Sequence, residues 1–206
     1  MNTHYFSNAE RATQDELLKI PVQVRGLDLE VFSAPQVFSS HRLDLGTKML
    51  LTYMSQPPSS GNLLDLGCGW GPVSSVLASL SPQAQVWAVD VNQRALDLTK
   101  RNAKQLGLGN IRVGTEPQTW GEVTDNDVRF DFICSNPPVR IGKKAMQELT
   151  LRWLARLAPD GEAWLVMAKN LGADSYIAWL NDQGLEAQKA HSKKGYRIIR
   201  VVKAGD

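Results

Sequence analysis

The chain has 206 residues, 43% of them hydrophobic and 21% charged, with a net charge of +2. That length allows one well-buried domain, and the composition excludes a disordered or fibrous chain. The near-balanced charge gives no global case for nucleic acid, and no apolar run reaches the roughly 18 residues of a membrane helix. The stretch from Met1 to Lys19 is polar, without a signal-peptide core, so a cytoplasmic location is expected. Cys68 and Cys134 are the only cysteines, far too few for a disulfide framework, and C-x-x-C spacing is absent. His4, His41 and His191 are scattered without metal-ligand spacing, and no metal is expected.

In chain order, His4, Tyr5 and Phe6 precede a polar run. The alternation of Val22, Val24, Leu29 and Val31 around Arg25-Gly26 then predicts a β-hairpin. Phe38-Ser39 and the stretch Leu43 to Thr47 lead into a helix bearing Met49, Leu50 and Tyr53, closed by a loop from Pro57 to Gly61. Next comes Leu63 to Gly71, where a short apolar run of the kind found in buried parallel strands breaks into three alternating glycines. Gly67, Gly69 and Gly71 can turn the backbone tightly and admit a ligand where a Cβ would collide. Pro72 suits the first turn of a helix whose apolar face is Val73, Val76, Leu77 and Leu80.

The glycine spacing is G-x-G-x-G, not the dinucleotide G-x-G-x-x-G, and the absence of a following Lys-Ser/Thr pair disfavours a P-loop. A tight turn with no ligand would give the same pattern. Asp90 shifts the balance, because it ends the next strand, Gln85 to Val89, where this class of fold sets an acid against ribose hydroxyls.

Asn92 suits an N-cap for a helix to Leu106, stopped at Gly107. A short third strand, Ile111 to Gly114, ends at Thr115-Glu116, and a fourth, Phe130 to Cys134, ends in Asn136-Pro137-Pro138-Val139-Arg140. A helix through Met146, Leu149, Trp153 and Leu157 follows, stopped by Pro159-Asp160-Gly161. Ala163 to Met167 reads as a buried strand and Ala173 to Asn181 as a helix. Leu185 to Ala190 and Tyr196 to Val202 read as a closing antiparallel hairpin. This alternation argues for an α/β fold with a mostly parallel central sheet.

Asn136-Pro137-Pro138 stands at the carboxyl end of a strand, the edge where open α/β sheets bind ligands. Two prolines offer carbonyls and no N–H, and the asparagine side chain adds another acceptor. Rigid acceptors suit a planar amine whose nitrogen must face a methyl donor, although an ordinary Asn-Pro turn reads the same way.

Asp65 with the glycines, Asp90, and Asn136-Pro137-Pro138, in that order, resemble the class I S-adenosylmethionine-dependent methyltransferases that act on exocyclic or amide nitrogens. Phe38-Ser39 with Leu43 to Thr47, and His4-Tyr5-Phe6, narrow the likeness to the RsmC-type ribosomal RNA guanine-N2 methyltransferases. Gly195-Tyr196-Arg197 is similar to their short single-domain members. The resemblance implies a Rossmann-like fold with a seven-stranded sheet and a closing antiparallel hairpin. It implies a single domain over 1–206, with a hairpin and helix extension (1–60) before the core (61–206).

It implies S-adenosylmethionine as cofactor. Asp65, Gly67, Cys68, Gly69 and Gly71 would surround its methionine end, Asp90 would hold its ribose, Glu116 or Thr115 would lie near its adenine, Val91 and Asn136 would also contact it, and Thr47 and Asp44 shape a lid. Asn136, Pro137 and Pro138 become the catalytic acceptors, and Phe38, Val139, Arg140 and Lys143 the substrate contacts. Ribosomal RNA or the small subunit is the implied partner, with Lys144, Lys189, Lys193, Lys194, Arg197 and Arg200 extending a basic track. Two departures stand out: the chain is too short for the degenerate second half of better-known members, and Val139 occupies the place of a stacking aromatic. Stacking then falls to Phe38, Tyr5 or Phe6. The rival readings are methylation of a protein glutamine amide, as in a release factor, another RNA N-methylation such as adenine N6 or a large-subunit guanine, and a non-catalytic cofactor- or RNA-binding module.

Overall fold

The computed structural model describes residues 10–138 and 141–205; His4, Tyr5, Phe6, Val139 and Arg140 lie outside the described residues. Strands β1 (Leu18–Val24) and β2 (Leu27–Ser33) pair antiparallel around Arg25 and Gly26, both at positive φ. Their alternation buries Ile20, Val22, Val24 and Val31 and leaves Lys19 and Gln23 in water. Helix α1 (Leu45–Tyr53) follows, capped by Asp44, whose side chain accepts from the Thr47 amide at 2.9 Å.

The remaining elements alternate. They are β3 (Ser60–Leu66), α2 (Pro72–Leu80), β4 (Gln83–Asp90), α3 (Gln93–Gln105), β5 (Ile111–Thr115), α4 (Glu116–Asp125), β6 (Phe130–Ser135), α5 (Lys143–Leu154), β7 (Leu157–Ala168), α6 (Ala173–Asp182), β8 (Leu185–Lys193) and β9 (Tyr196–Lys203). The sheet runs β5-β4-β3-β6-β7-β9-β8. Strands β3 to β7 are mutually parallel, and β9 lies antiparallel between β7 and β8. Because β4 and β6 flank β3 on opposite sides, the winding reverses there and leaves a crevice at the strands' carboxyl ends.

Both faces of the sheet are covered, so β3 reads as a continuous apolar run. Leu63 packs with Val73, Leu77, Val86, Leu98 and the β1–β2 hairpin on one face. On the other, Leu64 and Leu66 pack with Trp87, Phe130, Trp153 and Leu165.

Polar side chains bind the hairpin to this body. Buried Asn102 of α3 accepts from the Phe32 amide at 2.7 Å and donates to the carbonyls of Phe32 and Trp70, each at 2.8 Å. Buried Arg94 donates to the carbonyls of Pro35 (3.0 Å) and Glu10 (2.6 Å) and pairs with Glu16 at 2.7 Å.

The fold class matches the expectation, but three boundaries do not. Helix α5 ends at Leu154, and Leu157 opens β7 opposite Phe130. The Pro159-Asp160-Gly161 stop is a bulge inside that strand: the register jumps between Phe130 and Phe132, and a Cβ on Gly161 would sit 2.6 Å from the Phe130 carbonyl oxygen. Ser60 and Gly61 belong to β3, not to the preceding loop. Helix α4 was not anticipated, because only Glu116, Thr119 and Val123 of it are buried and they make no apolar stripe.

Asn102→Ala strands buried backbone groups on two segments. It is expected to lower the unfolding free energy by about 3 kcal/mol or more, read as a lower urea midpoint at unchanged slope.

Candidate active site

A cavity of about 780 Å³ opens at the carboxyl ends of β3, β4, β6 and β7, a size suited to a small-molecule site. Its floor is the glycine loop after β3. The amides of Gly67 and Cys68 both donate to the Val89 carbonyl, at 2.8 and 3.0 Å, and the Gly69 amide donates to Asp90 Oδ2 at 2.9 Å. Gly67 and Gly69 have positive φ; a Cβ on Gly67 would only touch the Asn136 carbonyl at 3.8 Å, and one on Gly69 would meet nothing within 4 Å. These two glycines leave an open cradle. Gly71 does not share it: a Cβ there would sit 2.8 Å from Thr99, and this residue starts α2 away from the cavity lining.

The acids divide by burial. Asp65 turns toward α2, where its Oδ2 accepts from the Ser74 amide at 2.9 Å and the Ser74 hydroxyl at 2.5 Å. Burial pushes its carboxyl up to about 7, against the Ser74 hydrogen bonds, and the nearby Asp90 charge adds to the rise. Asp90 is also raised by burial, opposed by the amides of Asn92, Gly69 and Val91. Its Oδ1 takes the Asn92 amide at 2.9 Å and its Oδ2 the Gly69 amide, so backbone amides brace both oxygens at the cavity wall. Val91, 51% exposed, forms the rim beside it. Burial, then Asp90 and Asp65, pushes the Cys68 thiol well up, and its sulfur lies 3.8 Å from Thr99 Oγ1, a poor setting for a nucleophile.

At one end of the cavity Glu116 is held by Arg152 and by Trp153 Nε1 at 3.1 Å, while Arg152 lies 4.9 Å from the centre of the Trp120 ring. At the other, Asn136 Nδ2 donates to Asp44 Oδ2 and to Thr47 Oγ1, each at 3.1 Å. A carboxylate only accepts, so the amide nitrogen is the atom facing Asp44, and among the described residues nothing donates to Asn136 Oδ1. Pro137 and Pro138 continue the lining, and the Pro138 carbonyl is taken by the Ile141 amide at 3.1 Å.

The structure therefore gathers Thr47, Asp65, Gly67, Cys68, Gly69, Asp90, Val91, Glu116, Asn136, Pro137, Pro138 and Phe38 around one cavity, and leaves Gly71 and Lys143 out of it. Lys143 is exposed at the start of α5 beside a second, smaller cavity. Phe38 is 41% exposed, and its carbonyl accepts from Trp70 Nε1 at 3.0 Å, so Trp70 anchors the segment that presents Phe38. Arg197 pairs with Asp174 (3.0 Å), Arg200 with Glu162 (2.6 Å), and Lys193 donates to the Tyr53 hydroxyl (2.8 Å). The carboxylates on Arg197 and Arg200 leave the expected C-terminal basic track partly neutralised.

Arg152 and Tyr196 also line the cavity and were not singled out for it. The Tyr196 ring lies where a Cβ on Gly46 would come within 2.8 Å, so Gly46 makes room for it beside Asp44. Burial and the Asp44 charge raise its phenol. Among the described residues, no three His, Cys, Asp or Glu side chains cluster as a metal site, and no helix is long and apolar enough to cross a membrane.

The strand order, the glycine loop after β3 and the acid after β4 define the Rossmann-like α/β architecture of methyltransferases. Residues 28–200 match the methyltransferase small domain, and the chain belongs to that family. It is 32% identical over 203 residues to YbxB of Bacillus subtilis, an uncharacterized protein, covering 98% of this chain and 100% of that one. It is 31% identical over 182 residues to ribosomal RNA small subunit methyltransferase C of Acinetobacter baylyi, covering 86% of this chain and 52% of that protein. The chain thus spans about half the length of that named relative. A solved 16S rRNA N2 methyltransferase from T. thermophilus, in complex with AdoMet and guanosine, superposes with a TM-score of 0.74 at 22% identity, over 91% of this chain and 51% of that one.

Asp65 supplies a pH test of this packing. Its folded carboxyl titrates at about 7, above the ordinary 3.8, so the folded state holds a proton that the unfolded chain has lost between those values. Stability is therefore expected to fall as pH rises from about 4 to 7, with Asp90 adding in the same direction. Asp65→Asn keeps an acceptor for Ser74 and is expected to remove most of that slope in urea midpoints measured across the range.

Proposed function

We propose that this chain is an S-adenosylmethionine-dependent N-methyltransferase acting on the exocyclic N2 of a guanine in small-subunit (16S) ribosomal RNA. One observation carries the reading: Asp44 and Thr47 hold the Asn136 amide by its nitrogen, so that among the described residues its oxygen is an unused acceptor at the cavity the glycine loop lines. An amine needs that acceptor.

The residues present fit the cofactor. Gly67, Cys68 and Gly69 form a cradle with room for its methionine end, Asp90 presents its carboxylate to the ribose hydroxyls, and Val91 lines the rim beside it. Glu116, fixed by Arg152, forms the wall for the adenine, and Thr47 borders the methionine side. Asp65 and Gly71 act from behind, one through Ser74 and the other by packing on Thr99. In this reading 61–206 is the catalytic core, and the 1–60 extension completes the site through Phe38, Asp44 and Thr47.

When bound, the cofactor supplies an electrophilic sulfonium methyl carbon. Asn136 Oδ1 and the Pro137 carbonyl accept the two N–H bonds of the amine, aim its lone pair, and stabilise the positive charge that grows on nitrogen. No strong base is required, because the methylated nitrogen becomes acidic and loses its proton readily. A base inside a duplex hides this edge, so the RNA must present an exposed or flipped nucleotide. Phe38 and Tyr196 line the cavity and offer rings for stacking, and Lys143 and Lys144 offer charge to phosphate on the helix whose Ala145 and Glu148 line it.

The test is transfer of labelled methyl groups to unmodified small subunits, large subunits and soluble protein, followed by nucleoside analysis. N2-methylguanosine from 16S RNA is expected. Label that survives nuclease and yields to protease overturns the reading in favour of glutamine methylation, and no transfer at all leaves a binding module.

Asn136→Ala is expected to lower kcat by about 100-fold or more while leaving cofactor affinity, measured by calorimetry, nearly unchanged. Loss of both together would give Asn136 a structural role.

A further inference from the structure

Asp44 holds Asn136 with only one of its two oxygens. Oδ2 accepts from the Thr47 amide at 2.9 Å and from Asn136 Nδ2 at 3.1 Å, with the Thr47 hydroxyl at 3.5 Å. Among the described residues nothing donates to Oδ1, although Asp44 lines the cavity and is half-buried. No basic side chain pairs with this carboxylate there; its neighbours are Gly46, the Tyr196 ring, Thr47 and Asn136. A partly desolvated acceptor with an open lone pair is costly unless a ligand donor fills it. A helix cap alone needs only the oxygen that Thr47 already uses.

We infer that Asp44 Oδ1 reads the N1–H of the target base, next to the N2 amine that Asn136 Oδ1 receives, and so makes the site specific for guanine. This rests on the proposed N2-methyltransferase reading and adds the residue that selects the base. Guanine offers two adjacent donors on that edge, N1–H and N2–H. The two side chains are neighbours on the cavity wall, because Asn136 Nδ2 donates to Asp44 Oδ2. Adenine presents the same kind of amine beside a bare N1 lone pair, which would face the carboxylate as acceptor against acceptor. A glutamine amide likewise has no donor adjacent to its NH2 beyond the amide itself. Oδ1 therefore rejects both classes by repulsion and desolvation, while Asn136 alone would accept any of the three amines.

The test replaces guanine by 2-aminopurine in a short RNA spanning the methylated nucleotide. This base keeps the N2 amine but carries a lone pair at N1. The wild-type protein is expected to prefer guanine at least tenfold, both in methyl transfer and in equilibrium binding followed by 2-aminopurine fluorescence and competition with the guanine RNA. In Asp44→Asn, the carbonyl keeps the Thr47 and Asn136 bonds while an NH2 takes the place of Oδ1, so the preference is expected to shrink at least tenfold or invert toward 2-aminopurine. Thermal melting and cofactor affinity of the variant, both near wild type, exclude a folding defect. A wild-type protein that uses both bases equally overturns the inference without any variant. So does a variant that keeps the wild-type ratio while still methylating guanine. A wild-type protein that transfers to protein and to no guanine overturns the functional reading itself, and this inference with it.

Discussion

The site depends on how the backbone of the glycine loop is satisfied. A buried turn must find partners for its amides, and this one finds them on the neighbouring strand: Gly67 and Cys68 share the Val89 carbonyl, and Gly69 uses the Asp90 carboxylate. Positive φ at Gly67 and Gly69 lets the loop turn so that those N–H groups face β4, while the Gly71 amide closes the loop on the Cys68 carbonyl. The parallel register Leu66 to Val89 then fixes where the loop begins and where Asp90 ends. Cradle and acid are thus one construction. Shifting β4 by one residue would turn Asp90 to the opposite face and leave the loop amides unpaired.

The same loop also holds the other half of the site. Trp70, within the loop, donates to the Phe38 carbonyl, and Asn102 ties the Trp70 carbonyl to Phe32 of the hairpin. The N-terminal segment is therefore bonded to the loop and to α3, and it returns through α1 to place Asp44 and Thr47 against Asn136 on β6's far end. A substrate rim from one part of the chain and a cofactor floor from another share the same buried hydrogen bonds. Buried networks of this kind rigidify when every member is satisfied.

What the sequence disclosed followed from local geometry. Three glycines, an acid at the end of a strand and a proline pair each constrain their own backbone, so Gly67, Asp90 and Asn136 could be placed by reading along the chain. What it withheld depends on contacts between distant segments. Tyr196 reaches the cavity only because β9 pairs with β7 and Gly46 lacks a side chain. Glu116 became a wall residue through Arg152 and Trp153, 36 and 37 residues away, on a helix with no apolar stripe to announce it. Gly71, in the same motif as Gly67, departs from it because its Cβ position is filled by Thr99. The bulge at Gly161 was hidden for a related reason: Pro-Asp-Gly reads as a stop, and only pairing with Phe130 makes it an interruption within a strand.

Five carboxylates line one cavity; Glu148 is exposed on α5, and environment separates the other four. Asp65 is so deeply buried that its carboxyl reaches about 7, and both of its hydrogen bonds are spent on the first turn of α2. Glu116 is occupied by a guanidinium and an indole. Asp90 is raised by burial but braced by backbone amides at the cavity wall. Asp44 alone combines half-exposure with an oxygen that nothing in the described chain uses. An acid cluster read from sequence would be a single negative patch. Resolved by hydrogen bonding, it becomes a helix brace, a wall, a sugar anchor and one open acceptor beside Asn136, and the unsatisfied member is the one free to respond to the identity of the ligand.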